Sequence, residues 1–365
     1  MKLLTTTNQF SHILERNSDL FGAMRVGNGS VALWHEKKLR DIGIQTLGII
    51  DPNLVKQQEA LKRGINVFSS LEQAAEMRPL FWDICSPTDT HVEAIRNIIK
   101  IDNEANIIVE KPICNYEDIK ILCELLKEFK GKLVVNENYL ASSVTQKIKE
   151  LIISLKITPY RVVSEMTKNR INDFINGRFI DDRLYAFGYE GSHIVMNVMA
   201  LGEKYLPQKI RKVFYEDINI DINDKNYFLP KQGIAQKDYT AINGAEVILY
   251  TSMTGKIKYF YPGYSPEHFY QAPEGQNVRY RVLAVEDHKT GITVAGFYEP
   301  ITGQNRCEGR VVVYQNSIVQ KIIPSIVDDT MGISMKNAVE YFQGKRNNPC
   351  SARTAIQIVE LMNLC

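Results

Sequence analysis

Apolar residues along this chain follow two rhythms that trade places. Short apolar runs end at Val26 and recur at residues 44–50, 65–68, 80–85, 106–109 and 133–135, and the run L-F-W-D-I-C has the texture of a strand buried on both faces. Helix-period segments lie between them. They are residues 31–42, a helix capped by Asn53 that reaches Lys62 with Gly64 as its stop, and L-E-Q-A-A-E-M behind Ser69 or Ser70. Further helices run to Lys100, over Y-E-D-I-K-I-L-C-E-L-L-K-E-F with Asn115 as cap and Gly131 as stop, and after Asn136-Glu137-Asn138-Tyr139 to about residue 153. Such alternation predicts βαβ units around a parallel sheet. From residue 160 the texture changes. A strand over 161–167 and a helix over 187–201 precede Tyr-, Val- and Ile-rich segments that continue to about residue 327. These are R-K-V-F-Y, A-E-V-I-L-Y, K-I-K-Y-F-Y, Y-R-V-L-A-V, I-T-V-A-G-F-Y and R-V-V-V-Y, several separated by turns such as Thr254-Gly255, Thr290-Gly291 and Thr302-Gly303. They predict an antiparallel sheet, closed by helices near 334–342 and 351–364. Residues 9–16 could form a short leading helix. No internal repeat or low-complexity tract interrupts the chain.

The first strand–helix junction carries chemistry. It reads M-R-V-G-N-G-S-V-A-L-W-H, which fits G-x-G-x-x-G/A with Ala32 in the last position. Gly27 permits a tight turn, Gly29 lets a diphosphate approach the backbone, and Ala32 is small enough for helix and strand to pack closely. The N–H groups of Asn28, Ser30 and Val31 at the start of the helix would face that diphosphate. The second strand ends at Asp51, about twenty residues past the glycines, where a carboxylate can accept hydrogen bonds from ribose hydroxyls. Pro52 and Asn53 follow, with no neighbouring Arg or Lys to neutralise a 2′-phosphate, so NAD(H) is favoured over NADP(H).

The 365 residues suffice for two domains, and the formal net charge of +2 gives no reason to expect nucleic acid or an anionic membrane as partner. No apolar run approaches a membrane span, and the opening M-K-L-L-T-T-T-N-Q-F has too short an apolar segment for a signal peptide. The cysteines at 85, 114, 123, 307, 350 and 365 lack C-x-x-C spacing and read as free thiols in a cytoplasmic protein. Cys85 has no base paired with it in sequence and reads as core. No H-x-x-x-H, cysteine cluster or acidic constellation suggests a metal, and the absence of G-x-x-x-x-G-K-S/T disfavours phosphoryl transfer from ATP.

Four landmarks in order resemble the Gfo/Idh/MocA oxidoreductases, the family of glucose–fructose oxidoreductase and inositol dehydrogenase. They are G-N-G-S-V-A with His35 soon after, C-S-P-T-D-T-H, Glu110-Lys111-Pro112, and G-S-H-I-V-M-N-V-M-A-L-G around His193. The resemblance covers roughly residues 22 to 205. It implies an α/β protein with an N-terminal Rossmann domain, a doubly wound parallel sheet, and a C-terminal α/β domain with a large open, mainly antiparallel sheet. The expected division is an extension over 1–20, an NAD-binding domain over 21–140, and a substrate-binding and oligomerisation domain over 141–365. The last helices could pack back on the first domain. The open sheet would join copies into a dimer or tetramer.

The resemblance also implies hydride transfer between a nicotinamide and a carbinol or carbonyl carbon of a sugar, cyclitol or similar small molecule. Lys111, after a parallel strand, would hydrogen-bond the reacting oxygen, and His193 would move the proton. The family often places Asp four residues before this His. Here that position is Tyr189 with Glu190 beside it, so either could take the relay. Ser86, Pro87, His91, Glu110 and Asn138 align with the cofactor pocket; Asn138 could equally cap a helix, and His91 could equally be an ordinary residue at a helix N-terminus. Lys168, Arg170 and Arg178 fall where family members bind substrate, and could hold an anionic group or be surface charge. Tyr259, Tyr261, Tyr264 and Tyr270 could stack on a sugar face or simply pack. A nucleotide-binding sensor or subunit without turnover, and a reductase of an imine or other non-sugar substrate, are the alternatives.

Overall fold

A computed structural model describes residues 22–176, 183–222, 225–261, 279–298 and 307–364. The chain divides into two compact units. The first holds the described residues up to Val135 with Ala338–Arg346, and the second Asn136–Asn337 with the described residues from Asn347 on. The expected leading helix over 9–16, Arg178, Tyr264, Tyr270, the Thr302-Gly303 turn and Cys365 lie outside the described residues.

In the first unit, β1 (Gly22–Val26), β2 (Gln45–Ile50), β3 (Asn66–Val67), β4 (Phe81–Ile84), β5 (Asn106–Glu110) and β6 (Lys132–Asn136) form one sheet in the order 3-2-1-4-5-6. The neighbours from β3 to β5 pair in parallel. This is the doubly wound order expected from the sequence, and its direction reverses between β1 and β4, which opens a crevice at their carboxyl ends. The intervening helices are α1 (Ser30–Asp41), α2 (Leu54–Lys62), α3 (Leu71–Ala75), α4 (His91–Ile101) and α5 (Ile119–Lys127). Asn53 Oδ1 accepts the N–H of Val55 at 2.9 Å and Ser70 Oγ that of Gln73 at 3.3 Å, the two caps foreseen. Asn115 does not cap α5. A 3-10 turn, Tyr116–Asp118, intervenes, and the Asn115 amide donates to Asp118 instead.

The second unit is built on β7 (Arg161–Lys168), β8 (Pro207–Ile222), β9 (Lys225–Ala241), β10 (Glu246–Ser252), β11 (Arg279–Glu286), β12 (Ile292–Tyr298), β13 (Glu308–Gln315) and β14 (Ile318–Val327). Their order is 14-13-12-11-7-10-9-8. Only β7 and β10 run parallel; the other neighbours are antiparallel. α6 (Ser143–Ser154), α8 (Ala186–Leu201) and α10 (Ala352–Asn363) bury Val162, Met166, Leu249 and Leu283 on one face. A one-turn helix α7 (Ile171–Ile175), not foreseen, follows β7, and α9 (Thr330–Phe342) follows β14. The end of α9 belongs to the first unit, where Lys132 Nζ donates to the carbonyls of Tyr341 and Phe342 at 3.2 and 2.9 Å.

The opposite face of this sheet is apolar too, with Val163, Ile248, Val282, Ala295, Phe297 and Val312 buried. The segment K-I-K-Y-F-Y, expected as a strand, crosses that face as a strap and lays Ile257, Tyr259 and Tyr261 on it. Glu165 explains the departure. Its carboxylate, buried on β7, accepts the N–H groups of Lys258 at 3.0 Å and Tyr259 at 2.7 Å, satisfying donors that a neighbouring strand would otherwise have taken. The expected open face is therefore partly covered by the chain itself. No disulfide joins the described cysteines, and among the described residues no helix is long and apolar enough to cross a membrane.

Burial raises the Glu165 carboxyl to about 7, against the pull of the Tyr259 and Lys258 N–H groups. Its ordinary value is 4.5, so between these values the folded state holds more proton than the unfolded chain. Stability from this site is therefore greatest below 4.5 and is lost as pH rises towards 7. Glu165→Gln should flatten that slope in thermal melts taken across this range. Equal slopes in both proteins would contradict the assignment.

Candidate functional site

The first unit gathers the foreseen residues at the carboxyl edge of its parallel sheet. Gly27 leaves β1 with φ +94°, and a Cβ there would stand 2.8 Å from Ser86 N and 2.9 Å from Cys85 C. Only glycine passes so close to the end of β4. Its N–H donates to Ile50 O at 2.8 Å, and Cys85 N–H to Val26 O at 2.8 Å, so the turn is stitched to both neighbouring strands. Gly29 is different. Its φ is −75°, and a Cβ would meet no protein atom within 4 Å. Nothing in the chain requires glycine there, whereas a diphosphate at the start of α1, where Ser30 and Val31 present their N–H groups, would. Ala32 is fully buried, as its packing role demands.

Asp51 is fixed beside this turn. Its carboxylate accepts the N–H of Asn28 at 2.7 Å and of Asn53 at 2.8 Å. The Asn28 side chain points inward, donating to Lys56 O at 2.8 Å. A cation is closer than the local sequence suggests. Arg63, from the end of α2, donates to Asn28 Oδ1 at 3.1 Å and to Glu36 at 3.2 Å.

At the ends of β4 and β5 the two remaining turns are tied together. His91 is buried, with Nδ1 2.9 Å from Pro112 O and Nε2 2.9 Å from Ser86 O. Burial holds its pKa below the ordinary range despite both carbonyls. Its ring thus lies between the Ser86-Pro87 and Lys111-Pro112 turns, where its one N–H can donate to either carbonyl, rather than facing a cofactor. Ser86 Oγ accepts from Thr90 at 2.7 Å.

Glu110 is likewise turned inward. Its Oε1 lies 2.8 Å from His35 Nε2, and Oε2 accepts the N–H of Lys111 at 3.3 Å. Lys111 follows, half-buried, joined to Pro112 by a cis peptide bond. Behind Glu110 sits a buried cluster that sequence reasoning missed. His35 Nδ1 is 2.8 Å from Asp83 Oδ1, and Arg25 Nε donates to Asp83 Oδ2 at 2.9 Å. Burial disfavours charge on His35, but Cys85 and Asp83 more than offset it and its pKa is raised well above the usual value. Burial also pushes the Cys85 thiol up to about 11, so near neutrality Asp83 is the charge that keeps His35 protonated. Asp83 itself stays far below the carboxylate range, because His35 and Arg25 outweigh its desolvation. Cys85 is buried, as expected of a core residue; its sulfur is 3.3 Å from His35 Nδ1, but a protonated imidazole cannot take its proton. His35, Asp83 and Cys85 offer ligand atoms within 4.8 Å of one another, but the Arg25 guanidinium already supplies the cation this carboxylate needs.

The second unit holds the other foreseen residues. On α8, Glu190 is buried and bridges two guanidiniums, Arg170 at 2.7 Å and Arg281 at 3.1 Å. Desolvation would raise its pKa, yet Arg281, Arg170 and His193 hold it far below the ordinary range. A carboxylate so held is a poor proton acceptor near neutrality, which argues against the relay role considered for it. The Tyr189 ring has the Arg170 guanidinium 5.3 Å from its centre and the Phe174 ring at 5.9 Å. The His193 ring lies 4.8 Å from that of Tyr139, whose hydroxyl accepts from Arg281. Lys168 faces Arg279 across the β7–β11 ladder and lies 3.8 Å from Asp173. Burial, then Arg170 and Arg279, lowers it to about 8. Arg279 and Arg281 were not foreseen. Their alternate spacing in R-Y-R-V was the available signal. Asn138 does not cap a helix; its amide donates to Thr330 Oγ1 at 3.0 Å.

Comparison with known proteins agrees with this construction. Residues 20–137 match the family model described as oxidoreductase family, NAD-binding Rossmann fold. No curated protein matches the sequence. Among solved structures, the fold resembles a putative NADPH-dependent oxidoreductase from Desulfitobacterium hafniense, at 12% identity and TM-score 0.69 over 94% of each chain. It also resembles a UDP-N-acetylglucosamine 3-dehydrogenase from Acidithiobacillus ferrooxidans, at 12% identity and TM-score 0.65 over 94% of this chain and 96% of that one. A third is the WlbA dehydrogenase from Bordetella pertussis, solved with NADH and UDP-GlcNAcA, at 14% identity and TM-score 0.62 over 94% of each chain. Over residues 20–137, then, the chain carries the NAD-binding Rossmann domain of the Gfo/Idh/MocA oxidoreductase family.

Proposed function

We propose that the protein is a nicotinamide-dependent oxidoreductase that interconverts a carbinol and a carbonyl carbon on a sugar, cyclitol or sugar-like small molecule. The observation that carries this reading is the gathering of the Gly27–Gly29 turn, Asp51, Ser86 and Lys111 at one carboxyl edge of a parallel sheet. The bare space over Gly29 fits a diphosphate, and Asp51 fits a ribose. Asp51 also favours NAD(H), since a carboxylate repels a 2′-phosphate; Arg63 beside Asn28 is the group that works against this preference. The bound nicotinamide would supply the hydride acceptor or donor.

In this reading Lys111 donates a hydrogen bond to the reacting oxygen and polarises it as charge develops. His193 carries the proton, and Tyr189 is the relay because Glu190 is committed to Arg170 and Arg281. Lys168, Arg170, Arg279 and Arg281 outnumber the two carboxylates among them, Glu190 and Asp173, which fits a substrate with an acidic group. Copies would associate through the parts of the second sheet face left bare by the strap, where Phe214 and Ile322 are exposed. The commitment of Glu190 to Arg170 and Arg281 favours one second reading, a nucleotide-binding subunit without turnover.

Lys111→Ala should reduce NADH-dependent reduction of an oxo-sugar panel on the order of a hundredfold or more, with NADH affinity unchanged. Parent-rate turnover in that variant would place the active site elsewhere, and NADH binding without turnover by the parent would favour the second reading. Affinity for a sugar acid, measured by calorimetry, should weaken as pH rises through about 8 and Lys168 loses its charge. Lys168→Met should abolish that step. A flat profile in the parent would remove Lys168 from the substrate site.

A further inference from the structure

We infer that His35 is a positioning residue for the Lys111 turn, acting through Glu110. The inference rests on the reading of Lys111 as the oxygen-polarising group, and it assigns work to a buried charge cluster that hydride transfer itself leaves unused. The geometry is a relay with each end fixed. Arg25, fully buried in β1, holds Asp83 Oδ2 at 2.9 Å, and Asp83 Oδ1 holds His35 Nδ1 at 2.8 Å. The opposite ring nitrogen reaches Glu110 Oε1 at 2.8 Å, and Glu110 Oε2 accepts the backbone N–H of Lys111. The imidazole therefore joins a carboxylate in β4 to a carboxylate at the end of β5, across the inner side of the sheet edge.

Such a cluster is an unusual choice for a core. Replacing a buried ionic group by apolar residues is often neutral or stabilising, so stability alone does not explain its presence. What an apolar core cannot do is fix the direction of a hydrogen-bonding side chain. A protonated His35 donates from both nitrogens, so Asp83 sets its ring plane and Glu110 must follow. With Glu110 fixed, the first peptide of the Lys111 turn has one acceptor in one place. On the far side of the same turn His91 Nδ1 lies 2.9 Å from Pro112 O.

Two neutral substitutions separate positioning from mere filling. In His35→Gln the amide nitrogen falls near the position of Nε2 and can still donate to Glu110. In His35→Asn it falls near Nδ1 and serves Asp83 alone. Amide hydrogen exchange of the purified full chain, followed by mass spectrometry, should show the peptide covering 107–116 exchanging about tenfold faster in His35→Asn. His35→Gln should restore most of the protection, and β1 and β4 should stay protected in both. Equal exchange in the two variants, or parental exchange in His35→Asn, would overturn the inference. Should both variants fail to fold, Glu110→Gln decides, since its single remaining oxygen cannot serve both His35 and Lys111. Faster exchange confined to 107–116 supports the relay, and parental exchange there refutes it. None of these readouts needs turnover, so an active Lys111→Ala would sink the reading of Lys111 while leaving this result intact.

Discussion

The carboxyl edge of the first sheet depends on one buried anion. Asp83 sits in β4 between apolar neighbours, with no exposure, and it is tolerable there only because Arg25 and His35 pair with both of its oxygens. Removing one partner from a buried ion pair leaves an uncompensated charge and costs roughly 3–5 kcal/mol, so the three residues stand or fall together. They come from β1, α1 and β4, the elements that flank the point where strand order reverses. The same spot is where Gly27 must pass the end of β4 without a side chain. Close backbone approach and a paired buried charge are thus two halves of one constraint.

The second unit meets a similar problem with different means. Its sheet is apolar on both faces, so each face needs a cover. Helices α6, α8 and α10 cover one, and the strap at residues 256–261 covers the middle of the other. Glu190 on α8 and Glu165 beneath the strap are both buried carboxylates, yet their surroundings differ. Two guanidiniums hold Glu190 ionised, whereas Glu165 has backbone N–H groups and Thr167 around it and sits near neutrality. Number and kind of partner, rather than burial, separate them.

Much of the first unit was legible in the sequence because its signals are local. A glycine turn, a carboxylate at the end of the next strand, and caps at Asn53 and Ser70 each act within a few residues. The groups that were not legible act across the fold. Asp83 in L-F-W-D-I-C announces that a partner exists without saying where, and His35 and Arg25 are far away along the chain. Glu110 and His91 occupy the expected turns, but only tertiary contacts show that both side chains face inward. In the second unit, K-I-K-Y-F-Y has every property of a strand, and a single buried Glu165 diverts its N–H groups. Arg281 was hidden for the same reason: alternation in R-Y-R-V fixes its face, not its meeting with Glu190 on α8.

The central claim is that a dinucleotide lies over the glycine turn, and Gly29 tests it most directly. Alanine there meets no protein atom within 4 Å and keeps an ordinary φ, so Gly29→Ala should melt like the parent. Its methyl group would occupy the space assigned to the diphosphate. Calorimetric titration with NADH should find the parent binding one equivalent and the variant binding about tenfold more weakly or worse, a loss of roughly 1.4 kcal/mol or more. Equal affinity in the two proteins, or failure of the parent to bind NADH or NADPH, would contradict the account.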